Sequence, residues 1–201
     1  FNELVKTTDA RGESLWYVYD QLGRRTQLRD DSATGALRAE WKYDTLFTGQ
    51  SGFRGQLTET VRYEPAGSSN AYRWRVVQFT PRYQPKAVSY VIPAAETGLN
   101  GSYGYVYGYS DFTGTQTSIS YPAGGGLVTE QVTTDYDATT GMPVRLDTSL
   151  AGVRETMATA SYTAYGERSG AIYKAPGGYY TQDIVYRDEA TRRVSRTTVE
   201  R

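Results

Sequence analysis

Tyr17-Val18-Tyr19-Asp20-Gln21-Leu22-Gly23-Arg24-Arg25-Thr26 is the stretch on which the reading of this 201-residue sequence turns. Before the aspartate, Leu15, Tyr17 and Tyr19 fall on one side of an extended chain, with Trp16 and Val18 on the other. Asp20 and Gly23 then occupy the first and fourth positions of a four-residue segment, the preferred pattern of a type I turn. After the turn, Arg25-Thr26-Gln27-Leu28-Arg29-Asp30 alternates again, with Thr26 and Leu28 on one face. The unit reads as a β-hairpin.

Working outward, the same grammar recurs. Trp41-Lys42-Tyr43-Asp44 is followed by Gly55-Gln56-Leu57-Thr58, and Tyr109-Ser110-Asp111-Phe112-Thr113-Gly114 comes later. Tyr136-Asp137 precedes Gly141-Met142-Pro143, and Tyr165-Gly166-Glu167-Arg168 and Tyr186-Arg187-Asp188 with Thr191-Arg192-Arg193 close the series. Phe79-Thr80 stands where a further Tyr-Asp is due, ahead of Gln84. Turn positions 23, 55, 84, 114, 141, 166 and 192 are separated by 32, 29, 30, 27, 25 and 26 residues, which makes seven units of similar length. The Asp137 turn is one residue longer than the first and implies a longer loop or a bulge.

Two strands per unit predict about fourteen, over 14–20, 25–30, 37–43, 55–63, 71–80, 85–92, 102–110, 114–121, 127–136, 143–149, 153–162, 170–175, 179–187 and 192–200. The longest loops are expected over 45–54, 65–70 and 93–101. No segment of twelve residues keeps a clean helical period, so little helix is expected. The fold class is all-β, with consecutive antiparallel hairpins forming a curved or spiralling sheet. A compact sandwich or a small propeller is the alternative. Residues 1–201 form one repeat-built region. The opening Phe1-Asn2-Glu3-Leu4 and the strand-like closing run Arg196–Arg201 are expected of a fragment of a longer polypeptide.

Composition agrees and removes much chemistry. Tyr numbers 19, Thr 26 and Gly 21, a strand-and-turn composition. Neither cysteine nor histidine occurs, so disulfides, thiolate nucleophiles, Ser-His-Asp triads and Cys/His metal sites cannot be built. Lys and Arg together number 22, as do Asp and Glu, which gives no basic field for nucleic acid. The longest uncharged run, Phe112–Thr129, is mostly Thr, Ser, Gly and Gln and cannot span a membrane as a helix.

The remaining candidates for chemistry have structural readings beside them. Asp135 and Asp137 share a strand face and invite a glycosidase reading, but Asp137 also heads a turn. Gly124-Gly125-Gly126 lacks the lysine and following helix of a phosphate loop and reads as a turn. Tyr103, Tyr105, Tyr107 and Tyr109 fall on one face of a strand, with Gly104, Val106 and Gly108 on the other. They pack on neighbouring strands, or alternatively stack on glycan rings. Gly104 and Gly108 weaken such a strand unless something approaches them closely. No enzyme, metal or cofactor is expected.

Tyr19-Asp20-x-x-Gly23-Arg24, iterated through Tyr43-Asp44, Gly114 and Tyr136-Asp137 with Gly141, resembles the RHS (rearrangement hot spot) or YD-repeat family over essentially the whole chain. Ser89-Tyr90-Val91-Ile92-Pro93-Ala94-Ala95-Glu96 and Ser120-Tyr121-Pro122-Ala123-Gly124-Gly125-Gly126-Leu127 resemble its large secreted bacterial members. The resemblance implies a hairpin sheet that spirals into a hollow shell around a C-terminal toxic or enzymatic domain. Insecticidal toxin complexes and animal teneurins carry related shells. It implies flanking repeats and that enclosed domain as partners, and a secreted or cell-surface location; open sheet edges add self-association. The family's shells end in an Asp-Pro cleavage motif. None of the seven prolines follows aspartate, so that element is expected outside this chain.

Overall fold

The computed structural model describes residues 3–174 and 180–201. They form strands β1 (Lys6–Thr8), β2 (Ser14–Tyr19), β3 (Arg25–Asp30), β4 (Leu37–Thr45), β5 (Ser51–Tyr63), β6 (Ala71–Phe79), β7 (Pro85–Ile92) and β8 (Gly101–Tyr109). Then come β9 (Gln116–Tyr121), β10 (Glu130–Tyr136), β11 (Pro143–Leu150), β12 (Val153–Tyr162), β13 (Arg168–Lys174), β14 (Tyr180–Arg187) and β15 (Val194–Glu200). Among the described residues there is no helix. Strand order is chain order in a single sheet, in which paired strands run antiparallel. Consecutive hairpins are therefore the architecture, not propeller blades or a two-sheet sandwich. Residues 175 and 179, at the ends of two expected strands, lie outside the described residues.

Two differences from the expected strands have local causes. β1 is short and polar, Lys-Thr-Thr, and carries no periodic signal; it exists because Thr7 lies opposite Leu15 on β2. The expected loop 45–54 is instead the tip of a longer hairpin. β4 runs on to Thr45, the turn is Leu46–Gln50, and β5 starts at Ser51. Register shifts at Lys42/Tyr43, Tyr43/Asp44 and Asp44/Thr45 absorb the unequal strand lengths.

The chain divides into two compact units, Phe1–Val106 and Tyr107–Arg201. In the first, one row of opposed residues is Trp41, Thr60, Trp74, Tyr90 and Tyr103, from β4 to β8. The adjacent row, Lys42, Glu59, Arg75, Ser89 and Gly104, faces the other way. One face is thus aromatic and the other polar. Buried apolar side chains of this unit are Leu46, Val61, Ala71, Val76, Phe79 and Val88. Glu59, 3% exposed, sits among them on the polar side. It accepts hydrogen bonds from Lys42 Nζ at 2.8 Å, Arg75 Nε at 2.7 Å and an Arg73 terminal nitrogen at 3.2 Å. In the second unit the corresponding row is Thr134, Leu146, Ala158, Tyr173 and Thr181. Ala171 is its buried apolar side chain among the described residues, with Asp147, Thr148 and Asp183 buried beside polar partners. So thin a core leaves strand pairing between neighbouring hairpins as the main source of order.

Candidate functional site: the marked turns and their clamps

The repeat motif is a set of turns, each built the same way. The turns that follow even-numbered strands carry it. In the short form the Gly23 N–H donates to the Asp20 carbonyl at 3.0 Å and the Asp20 N–H to the Arg24 carbonyl at 2.9 Å. Thr80–Gln84 and Thr163–Glu167 repeat that ring, and Leu46–Gln50 matches it. In the long form the Gly114, Gly141 and Arg192 N–H groups reach back four residues, to Ser110, Asp137 and Asp188, at 2.9, 2.8 and 2.9 Å. This is the extra residue expected at Asp137. A register shift precedes most of these turns, as at Val18/Tyr19, Asp135/Tyr136, Ser161/Tyr162 and Tyr186/Arg187. A type I turn ending in a left-handed residue produces that bulge. Gly23, Gly141 and Gly166 supply it at φ 74°, 69° and 76°, whereas Tyr83 and Arg192 adopt φ 60° without glycine's freedom.

Asp20 closes its own turn. Its Oδ1 accepts from the Leu22 N–H at 2.9 Å and the Arg24 N–H at 3.0 Å, and its Oδ2 from Arg24 Nε at 2.7 Å. Burial opposes ionisation of Asp20, but the hydrogen bonds from Arg24 and Leu22 outweigh it and hold the carboxyl below the ordinary range. The two terminal nitrogens of Arg24 then grip Asp44 of the next repeat at 2.9 and 2.8 Å. The guanidinium lies 4.4 Å from the Tyr43 ring centroid. Asp44 Oδ1 also accepts from the Gly55 N–H at 2.6 Å, so Gly55 is held opposite Asp44 and does not form the turn itself. The Arg24 pair, then the Gly55 bond, lower the Asp44 carboxyl to about 2, and the bonds to Asp44 and Asp20 raise the Arg24 guanidinium above its ordinary value. A planar fork and a carboxylate make this a geometrically specific link between neighbouring repeats.

The tyrosine of the motif makes a second link. Tyr19 donates its hydroxyl to the Leu4 carbonyl at 2.9 Å, and Tyr43 to the Arg25 carbonyl at 3.0 Å. In the second unit Tyr136 reaches the Gln116 carbonyl at 2.9 Å and Tyr162 the Pro143 carbonyl at 2.8 Å. Each phenol ties its hairpin to a preceding segment, which for Tyr43, Tyr136 and Tyr162 is the preceding hairpin. In the sixth repeat the residue that does this is Tyr162, ahead of Thr163, while Tyr165 stands at the turn tip, 4.2 Å under the Arg192 guanidinium. Arg192 also bonds Glu167, a clamp that runs backward where Arg24 runs forward. The Arg192 bond lowers the Glu167 carboxyl, against the effect of burial. Asp9-Ala10-Arg11-Gly12-Glu13 forms a further capped turn, with Asp9 Oδ1 accepting from the Arg11 and Glu13 N–H groups at 2.8 and 3.0 Å. Its Asp-x-x-Gly spacing is that of Asp20 and Gly23, and the signal lay in the sequence without a preceding tyrosine.

The carboxylates singled out for catalysis are held as structural groups. Asp137 Oδ1 accepts from the Thr139 N–H at 3.1 Å, the Thr140 N–H at 2.8 Å and the Thr140 hydroxyl at 2.9 Å. These bonds, with Thr140 foremost, lower its carboxyl, the opposite of what a general acid needs. Asp135 pairs with Arg145, and with an Arg154 terminal nitrogen at 3.5 Å. Arg154 Nε also bonds the buried Asp147 at 2.8 Å. Gly125 and Gly126, at φ 56° and 85°, make a tight turn closed by the Leu127 N–H to the Gly124 carbonyl at 2.9 Å.

The tyrosines of β8 fall in both units. In the first, the Tyr103 hydroxyl donates to the Leu99 carbonyl at 2.8 Å, and Tyr105 meets Tyr90 edge-to-face at 5.5 Å. In the second, Tyr107 and Tyr109 are half-buried, and burial pushes the Tyr109 phenol up. Gly108 is closely approached, since a Cβ there would run into the Ser118 and Thr117 hydroxyls, whereas Gly104 faces open space.

No family model matches the chain, and no curated protein does. Solved structures do match. The Photorhabdus luminescens Tc holotoxin pore aligns with TM-score 0.71 at 15% identity, over 98% of this chain and 9% of that one. The TcdB2-TccC3-Cdc42 crystal structure aligns with TM-score 0.71 at 14% identity, over 98% and 10%. TcdB2-TccC3-TEV aligns with TM-score 0.72 at 12% identity, again over 98% and 10%. The chain spans about a tenth of the length of these toxin chains. Its fold is that of an RHS/YD-repeat segment of Tc toxin chains.

Proposed function

We propose that this chain is a non-enzymatic wall segment of an RHS/YD-repeat shell, one repeat-built region of a longer, exported polypeptide whose C-terminal effector domain the shell encloses. The observation that supports it most is the pair of links joining successive marked turns: Arg24 gripping Asp44, and tyrosine hydroxyls reaching back to preceding hairpins. Such links hold hairpins in register with one another. Tyr19, Asp20, Gly23, Arg24, Tyr43, Asp44, Gly114, Tyr136, Asp137 and Gly141 then serve the wall. Tyr103 and Tyr105 serve it too, through Leu99 and Tyr90.

The test is limited proteolysis of the complete polypeptide that contains this chain. The reading expects its C-terminal region to survive a protease dose that destroys the same region expressed alone. Equal cleavage of the two, or an encoded polypeptide with no further repeats, overturns it.

A further inference from the structure

A cleft in the first unit lies between the turns Leu46–Gln50 and Thr80–Gln84, outside the clamps. Its volume is about 490 Å³, within the range of small-ligand sites. Phe53 and Phe79, with ring centroids 4.9 Å apart, are among its lining residues. Gln50, Ser51, Gln78 and Tyr83 also line it. Tyr83 is conspicuous because it holds φ 60°, where the matching turns have Gly23 and Gly166. Turn geometry alone favours glycine there. What the tyrosine adds is an aromatic side chain, 48% exposed, in the lining of the cleft.

The lining contains no Asp, Glu, Lys or Arg. A phosphate, carboxylate or cation therefore finds no counter-charge in the lining itself. The polar side chains are the carboxamides of Gln50 and Gln78 and the hydroxyls of Ser51, Thr80 and Tyr83, each able to donate and accept, as sugar hydroxyls do. Aromatic faces suit the apolar C–H face of a sugar ring. We propose that this cleft binds a neutral pyranose, with the ring against Tyr83 and its hydroxyls bonded to Gln50, Ser51 and Gln78. The inference does not depend on the wall reading, and it uses different residues from the β8 tyrosines.

Saturation-transfer NMR on the full 201-residue chain tests it. The probes are the methyl β-glycosides of glucose, galactose and N-acetylglucosamine, with glucuronate and methyl phosphate as charged controls. At least one neutral glycoside should bind saturably near ~1 mM, as suits a ligand of that size. Tyr83→Gly should weaken it by about tenfold while the melting temperature holds or rises, because the strain at φ 60° is relieved. Gln78→Ala, outside the turn, should weaken it severalfold and serves if Tyr83→Gly misfolds. No saturable binding of any neutral glycoside, unchanged affinity in both variants, or tighter binding of a charged control overturns the proposal.

Discussion

Replacing Glu59 by glutamine keeps the side chain's shape and removes its charge. In the native protein the carboxylate is 3% exposed and bonded to three cations, Lys42, Arg73 and Arg75. Removing one partner of a buried ion pair costs about 3–5 kcal/mol, because the other charge is left uncompensated. Here the stranded cations are partly hydrated, with side chains 49%, 25% and 25% exposed, so the low end applies, about 3 kcal/mol. With a urea m-value of about 2 kcal/mol/M, the midpoint should fall by ~1.5 M. Trp16, Trp41 and Trp74 all lie in the first unit, so tryptophan fluorescence reads the unit that Glu59 holds together. Acid titration gives an independent check. Burial alone would raise the Glu59 carboxyl, but the bonds from Lys42 and Arg75 lower it below its ordinary value. A group with a depressed folded pKa stabilises fully above its unfolded value, near 4.3, and loses that contribution as pH falls through the folded one. The native chain should therefore lose stability below about pH 4.3 more steeply than Glu59→Gln. A midpoint change under ~0.3 M, or parallel acid profiles, would refute the idea that this cluster organises the first unit.

Other expectations follow from single contacts. Asp44→Ala should speed hydrogen exchange at the Gly55 amide, which loses its 2.6 Å acceptor, and leave the Asp188 turn unchanged. Because Asp44 is held at about 2, its carboxyl should stay ionised in NMR titrations at pH 3, where an ordinary aspartate is mostly protonated. Ala151 and Gly152 form a two-residue hairpin turn at φ 48° and 83°; Ala151→Asn should stabilise by ~0.5–1 kcal/mol and raise Tm by about 1–4 °C. Gly170→Ala should cost about 1–3 kcal/mol in thermal melts, since the new Cβ would lie 2.6 Å from the Asp183 carbonyl oxygen, while Gly104→Ala should be tolerated.

Local rules account for the strand map. Alternation and turn dipeptides are properties of neighbouring residues, so Tyr17–Thr26 alone implied the β2–β3 hairpin, and its echoes implied most of the others. The long Asp137 loop and the Gly124–Leu127 turn were legible in the same way. β1 was not, because three polar residues hold no period and acquire strand form only from Leu15 and its neighbours. The tip at Leu46–Gln50 was hidden for a related reason. Gly55 has the composition of a turn glycine, but its place is set by a bond to Asp44 across the hairpin.

The residues of the motif were visible, while their work was not. Asp20 as a turn cap follows from spacing alone. That Arg24 reaches Asp44, and that Tyr43, Tyr136 and Tyr162 donate to carbonyls of preceding hairpins, depends on which hairpins lie side by side. The same holds for the cleft beside Tyr83, which exists only once two turns from separate hairpins lie side by side. Turn chemistry is encoded within four or five residues, whereas contacts between hairpins depend on strand pairing, which sums small contributions over many residues. The sequence therefore specifies the hairpins, and their pairing in space makes them a sheet with a cleft beside two of its turns.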